Sequence, residues 1–523
     1  MPKKAASLNP VLLEVFKNRF ASICEEMGMA LVRTAFSPNI KERRDLSCAV
    51  FSREAEMIAQ AAHIPVHLGS MPLSVQAATQ AVSMQEGDMV MLNDPFQGGT
   101  HLPDITLVAP VFAGGRCPLF YAANRAHHSD MGGMSPGSMP LSSSIHQEGV
   151  IIPPMKIVRQ GMIREDVLEL ILKNVRTPQE RRGDLSAQIM ANITGIKRLQ
   201  ELVHKYGPGQ VQDYGSALMD YSERITREVI AAIPDGTYRF TDYLDDDGHV
   251  EHMIPISLEL KIQEDQVYLD FSRSADQVAG CVNAVRSITM SCALYVFRCL
   301  AMQDIPANSG CLRPLRVKTR HGSVLDARHP AAVAGGNVET AQRIVDVILG
   351  ALSRAVPDRI PAASQGTMNN VAIGGENPAD GQVFTYYETL AGGMGACSSL
   401  NGASAVHSHM TNTLNTPVEA LEHSFPFRIH RYKVRRGSGG KGEFSGGEGL
   451  ERELEVLVPC EVTVLSERRA FRPYGLEGGL PGAAGENMVI IQGKLRSMPG
   501  KFKVILSPGD RLLIKTPGGG GYG

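Results

Sequence analysis

Apolar residues recur at two different periods along this chain, and the switches between those periods constrain its fold more than any other feature. Leu12, Val15, Phe16, Ile23, Met27 and Leu31 fall at helical spacing. Asn9 is a good N-cap and Pro10 a good first helical residue, and Pro38 ends the pattern near Phe36. A second helix is predicted over about 73–83. Two more lie between about Pro178 and Ile233, antiparallel or nearly so. Leu185, Ile189, Ile193, Ile196, Leu199 and Val203 form one stripe, Gly207-Pro208-Gly209 breaks it, and Leu218, Tyr221, Ile225 and Val229 form the other. The period then drops to two. Ile254, Ile256, Leu258, Leu260 and Ile262 alternate as in a strand, and Val267, Leu269 and Phe271 follow a polar turn. A helix is predicted after Asn337, through Ile344, Val347 and Leu349. The last hundred or so residues read as glycine-punctuated strands over 454–458, 462–465, 489–492, 503–506 and 512–515. The closing GGGGYG reads as a short flexible tail.

The expected fold class is α+β: mixed helices and antiparallel sheets in several lobes, with a β-rich C-terminal region. At 523 residues the chain exceeds one ordinary core, and roughly 100–200 residues per domain suggest about three. The expected divisions are 1–235, carrying the metal site described below, a mixed α/β middle over 236–400, and the β-rich 401–523.

Charge excludes some functions. With 52 basic and 54 acidic residues the net charge is −2, so no electrostatic footprint for nucleic acid or an anionic membrane is present. The nine cysteines are scattered, odd in number and without a CxxC pair; this reads as reduced thiols and argues against a structural zinc finger. The N-terminal lysines precede no uninterrupted apolar segment, and no stretch of about 18 apolar residues occurs. A cytoplasmic protein is expected.

The chemistry is concentrated between Asn93 and Gly133. NDPFQGGTHLPD and NRAHHSDMGG contain His101, Asp104, His127, His128 and Asp130, imidazole and carboxylate groups of the kind that suit zinc, manganese or iron. The apolar runs at about 106–112 and 118–123 flank Gly114-Gly115 like a hairpin. With those glycines at the tip, His101 faces about His128, Leu102 about His127, and Asp104 about Arg125. Both ends of the motif then converge on one small volume. A one-residue slip would exchange the faces, so pairing does not choose between His127 and His128. Against this stands the commoner role of His and Asp at strand ends, as turn formers or exposed polar residues.

Other groups carry weaker signals. His63 and His67 in AAHIPVHLGS are candidates for a substrate site or additional ligation. Asp245, Asp246, Asp247 and His249 read as a solvated acidic turn; His407, His409 and Glu388 are lesser site candidates. No GxxxxGK[ST] phosphate loop or HExxH helix occurs. The glycine-rich 437–449 reads as tight turns between strands.

These residues also resemble a family. NDPFQGGTHLPD and NRAHHSDMGG are similar to the two signature stretches of the hydantoinase B/oxoprolinase family. ERRDLSCAVF, HIPVHLGSMP, GGNVETAQRIVDVILGAL, SQGTMNN, YYETLAGGMGA, NTPVEALEHSFPFRIHRY, the SGGKG turn and TPGGGGYG resemble further blocks of it, in order and over nearly the whole chain. The resemblance implies a B-type subunit that works with a hydantoinase A-type, ATP-binding partner. Together they would hydrolyse a hydantoin, 5-oxoproline or another lactam; relatives carboxylate ketones such as acetone and acetophenone. It implies a divalent transition metal (zinc, manganese or iron) held by Asp45, His101, Asp104 and His127. His127 is chosen because the family often has another residue where His128 stands. ATP and magnesium would sit on the partner, in a hetero-oligomer of two A-type and two B-type chains. His128, Asp130 and His63 are then candidate bases or substrate-orienting groups. Ser445 stands where the family usually carries Arg, which bears on substrate or partner and leaves the metal residues untouched.

Overall fold

The computed structural model describes residues 9–523 except 62, 251, 302, 303 and 380; the lysines near the N-terminus lie outside the described residues. Helix α1 (Pro10–Thr34) begins on the expected cap, with the Asn9 side chain accepting from the Val11 N–H. After α2 (Pro38–Lys41) the chain builds a seven-stranded antiparallel sheet from β1 (Leu46–Ser52), β2 (Met57–Gln60), β3 (Met89–Leu92), β4 (Asp104–Val111), β5 (Phe120–His127), β6 (Met155–Arg159) and β7 (Met162–Ile163). Their order is β2-β1-β5-β4-β3-β6-β7. Helix α3 (Ser70–Ala81) covers one face. Helix α5 (Pro178–Tyr206) packs with α1 on the other, preceded by α4 (Glu165–Leu172) and followed by α6 (Pro208–Ala231). Alternation sorts the side chains between the faces. Leu46, Cys48, Val50, Ala122 and Ala126 pack against α1 and α5, whereas Ala49, Phe51, Val108 and Ala123 pack towards α3.

The second sheet holds β8 (Gly236–Leu244), β9 (Ile254–Gln263), β10 (Gln266–Asp270) and β11 (Leu315–Lys318), in the order β11-β10-β9-β8. The alternation read over 254–262 is the inward face of β9, where all five apolar residues are buried. Helices α7 (Arg286–Cys299) and α8 (Ala341–Leu352) join this core. The last two sheets are β13-β12-β16-β19 and β14-β15-β20-β17-β18. They comprise β12 (Asn370–Glu376), β13 (Val383–Thr389), β14 (Phe427–Arg435), β15 (Gly449–Val456), β16 (Cys460–Leu465), β17 (Glu486–Ile491), β18 (Lys494–Met498), β19 (Lys501–Leu506) and β20 (Arg511–Lys515), with α9 (Val418–Ser424) beside them. Val371, Phe427, Val464 and Ile514 belong to one shared core, so strands from both sides of position 400 pack together.

The expected flexible tail is instead buried. Residues 518–522 are enclosed by glycine-rich segments around 393, 440, 447 and 479. Gly440 N donates to Gly519 O, Gly519 N to Gly447 O, and Gly447 N to Met394 O. Side chains would hold these backbones apart; glycine lets them approach to hydrogen-bonding distance. The expected solvated turn at 245–247 is also enclosed: Asp245 accepts from the backbone N–H groups of Arg469, Ala470 and Phe471, and Asp247 from those of His249, Val250 and Gly280.

A Cβ at Gly519 would lie 1.9 Å from the Met394 carbonyl oxygen, whereas one at Gly209 would meet nothing within 4 Å. Gly519→Ala is therefore expected to destabilise by about 1–3 kcal/mol or more, and Gly209→Ala to be neutral or stabilising. Thermal denaturation of the two variants beside wild type checks this; equal midpoints would contradict the packing described.

Candidate metal centre

Three neighbouring strands bring the site together. In β4–β5, Asp104 pairs with His127. On the other side of β5, Leu46 pairs with Ala126, and the His127 N–H donates to the Asp45 carbonyl at 3.0 Å. Asp45, His127 and Asp104 thus occupy one rung across three strands, on the face turned away from α1 and α5. The hairpin register differs by two residues from the expected one, because the loop closes over 112–119. A two-residue shift preserves the facing of every side chain, so convergence survives while the partners change. His101 joins through a tight turn, in which Asp104 N–H donates to the His101 carbonyl at 3.1 Å.

The potential ligand atoms of His101, Asp104 and His127 lie within 4.8 Å of one another. All three residues are buried, yet both His101 ring nitrogens, His127 Nε2 and Asp104 Oδ1 have no hydrogen-bond partner among the described residues. His101 Nε2 stands 3.4 Å from Asp104 Oδ2. Asp45, Asp104 and His127 line a cavity of about 20 Å³, room for about one water or one ion. Burial pushes the Asp45 carboxyl up to about 6, against the attraction of Arg43 and with the repulsion of Asp104. Burial also drives His127 well below the usual imidazole range, which favours the neutral ring that a cation needs. Unpartnered imidazole nitrogens and a carboxylate oxygen gathered within 4.8 Å are a donor set that fits a divalent metal.

A polar scaffold holds these groups. Asn39 Nδ2 lies 3.0 Å from His127 Nδ1 and donates to its carbonyl at 2.7 Å; Arg43 donates to the other end of that amide. Tyr387 stacks on the His127 ring, with centroids 4.6 Å apart. Thr100 donates to Asp104 Oδ2 at 2.5 Å. His67 is fixed by Ser47 at 2.8 Å and brings Nε2 to 3.4 Å from Asp104. Asn39 and Tyr387 were not nominated from sequence. Asn39 and Arg43 lie just upstream of Asp45, but Tyr387 is distant in sequence, and only the fold brings it in.

Three expected base or orienting residues stand elsewhere. His128, one residue past His127, turns to the opposite face and meets Gln188 of α5 at 2.9 Å. Asp130 is tied to Arg176 by an ion pair of 2.9 Å and a backbone hydrogen bond. His63 packs on Gly28 of α1 and lines two adjoining clefts, of about 310 and 430 Å³, not the inner cavity. Ile64 lines both the larger cleft and the inner cavity. Of the lesser candidates, Glu388 pairs with Arg452, His409 stands 3.6 Å from Asp346, and His407 meets Asn415. Ser445 is absent from the cavity lining.

The sequence signature of the hydantoinase B/oxoprolinase family matches residues 9–523. The chain belongs to this family. It is 41% identical to a 5-oxoprolinase of Dictyostelium discoideum over 99% of its own length, while spanning only 40% of that longer protein. It is 32% identical to the caprolactamase subunit beta of Pseudomonas jessenii, covering 99% of this chain and 91% of the relative. The crystal structure of the ATP-dependent caprolactamase from that organism superposes with a TM-score of 0.92 at 29% identity, over 99% of this chain and 92% of that one. A nucleotide-free acetone carboxylase shares the fold, with a TM-score of 0.90 at 18% identity over 98% and 76% of the two chains. No helix among the described residues is long and apolar enough to cross a membrane.

The raised Asp45 carboxyl has a consequence for the metal-free protein. Its folded value of about 6 exceeds the ordinary 3.8, so the fold binds the proton more tightly than the unfolded chain does. Asp45 therefore lowers stability as pH rises from about 4 to 6, and the loss is complete above that. Asp45→Asn is expected to stabilise the metal-free protein above pH 6 by on the order of 1–3 kcal/mol, with little effect near pH 4. Denaturant titrations at both pH values check this; an equal effect at both would contradict it.

Proposed function

We propose that this chain is the metal-binding B-type subunit of an ATP-dependent enzyme that hydrolyses a cyclic amide, with 5-oxoproline, hydantoins and related lactams as the substrate class. The observation that carries the reading is the buried rung of Asp45, His127 and Asp104, completed by His101, with imidazole nitrogens and a carboxylate oxygen that lack partners among the described residues. Support comes from the relatives named 5-oxoprolinase and caprolactamase subunit beta. The sequence has no phosphate-binding loop, which suits an ATP site, with its magnesium, on an A-type partner chain. An assembly of two chains of each type remains part of the proposal.

A lactam carbonyl is a poor electrophile, so activation is assigned to the partner, where ATP phosphorylates the carbonyl oxygen. Water then attacks the activated carbon, and the tetrahedral adduct expels the ring nitrogen, protonated as it leaves, so the C–N bond breaks and an acyl phosphate remains; a second water hydrolyses this to the carboxylate and phosphate. Asp45, His101, Asp104 and His127 would hold zinc, manganese or iron. A divalent metal supplies a Lewis acid and lowers the pKa of water towards about 7. Asn39 and Arg43 keep the His127 ring in place, and His67 and Thr100 hold the Asp104 carboxylate. Ile64, Val66, Val338 and Met410 add apolar surface to the cavity wall, which strengthens the electrostatic interactions inside.

Co-expression with an A-type chain, metal analysis and an assay of ATP-dependent ring opening test the reading. Wild type should carry about one transition metal per chain; His101→Ala should fold, lose the metal and lose at least about a thousandfold in turnover. A metal-free but fully active His101→Ala complex would reduce the chain to a scaffold for its partner. Bicarbonate-dependent carboxylation of a ketone, with no lactam hydrolysis, would replace the hydrolase reading by a carboxylase one.

A further inference from the structure

The inner cavity has a second wall that no metal requires. Opposite the three-strand rung, Gly336–Thr340 forms a single π-helical turn at the head of α8. Such turns are uncommon and concentrate at functional sites. Asn337, on this turn, is 4% exposed and lines the cavity with Asp45, Asp104 and His127. Its Oδ1 is buried and has no hydrogen-bond partner among the described residues. An unpaired buried amide oxygen is costly to leave unsatisfied.

The turn is fixed from both sides. A Cβ at Gly336 would lie 1.8 Å from the Asn283 carbonyl oxygen, so the backbone there is pressed against its neighbour. Two residues beyond Asn337, the buried Glu339 accepts from the Asn370 side chain and the Met368 N–H; Asn370 Oδ1 in turn accepts from Tyr387, the residue stacked on His127. One hydrogen-bonded chain therefore ties the π-turn that carries Asn337 to the cluster.

We propose that Asn337 is a positioning residue whose Oδ1 accepts the ring N–H of the substrate, so that the site selects secondary cyclic amides over N-substituted ones. The inference rests on the lactam reading above. The chemistry follows from the atom left open. The open oxygen is an acceptor, the complement of an amide N–H, and an N-methylated ring would bury it without a partner.

The test uses the metal-loaded complex with its A-type partner, comparing wild type, Asn337→Ala and Asn337→Leu, the last being close in shape but without an acceptor. Metal content is expected to be unchanged in both variants. Wild type should prefer a secondary lactam to its N-methyl analogue by on the order of 10–100-fold in kcat/KM. Both variants should lose that preference by slowing on the secondary lactam alone. Calorimetric binding of the two lactams without ATP should show the same pattern. Preference retained in the variants, or metal lost from them, would overturn the assignment. A wild-type complex that holds metal but opens no lactam would instead sink the parent reading, and this inference with it.

Discussion

The antiparallel pairing of β5 between β1 and β4 is the constraint from which the site follows. Once Leu46 is opposite Ala126 and Asp104 opposite His127, period-two geometry places Asp45, His127 and Asp104 on one rung and one face. Helices α1 and α5 seal the other face with apolar side chains, which locks the register: a one-residue slip would bury the charged set under those helices. The fold thereby accepts three buried polar side chains in one place, at a desolvation cost that shows in the raised Asp45 carboxyl and the suppressed basicity of His127.

Around that rung the protein spends further polar groups on orientation. Arg43 reaches His127 through Asn39, Ser47 sets His67 against Asp104, and Tyr387 covers the imidazole while its hydroxyl leads to Asn370 and Glu339. These contacts come from α2, β1, β12, β13 and the head of α8, elements spread over about 350 residues of sequence. Such pre-organisation restricts the ligand side chains before anything binds. It also links the seven-stranded sheet to the C-terminal sheets, so the glycine-packed terminus and the site belong to one connected structure.

The regular elements with an amphipathic signal were legible in the sequence. The cap at Asn9, the stripes of α5 and α6 and the alternation of β9 all appear in the structure, because each reports burial on one face. Ile193, counted in the α5 stripe, is exposed, since that stripe is wider than the surface it covers. The hairpin was legible but its register was not: the connection spans eight residues, and glycines at its centre do not state where pairing begins. Burial of GGGGYG was invisible because glycine reads as flexibility when alone and as close packing only when other glycine segments lie against it. His128 and Asp130 drew attention through their neighbours, yet strand parity and a partner arginine take them away. Asn337 offered no signal, since an Asn before an apolar stripe reads as an ordinary helix start and the π-turn arises from tertiary contacts.

The most direct measurement is anomalous X-ray scattering from crystals of the complex grown with zinc or manganese, recorded on both sides of the metal absorption edge. The account predicts one strong peak per chain, enclosed by Asp45, His101, Asp104 and His127. A peak bound elsewhere, or none while these four side chains keep the arrangement described, would contradict it.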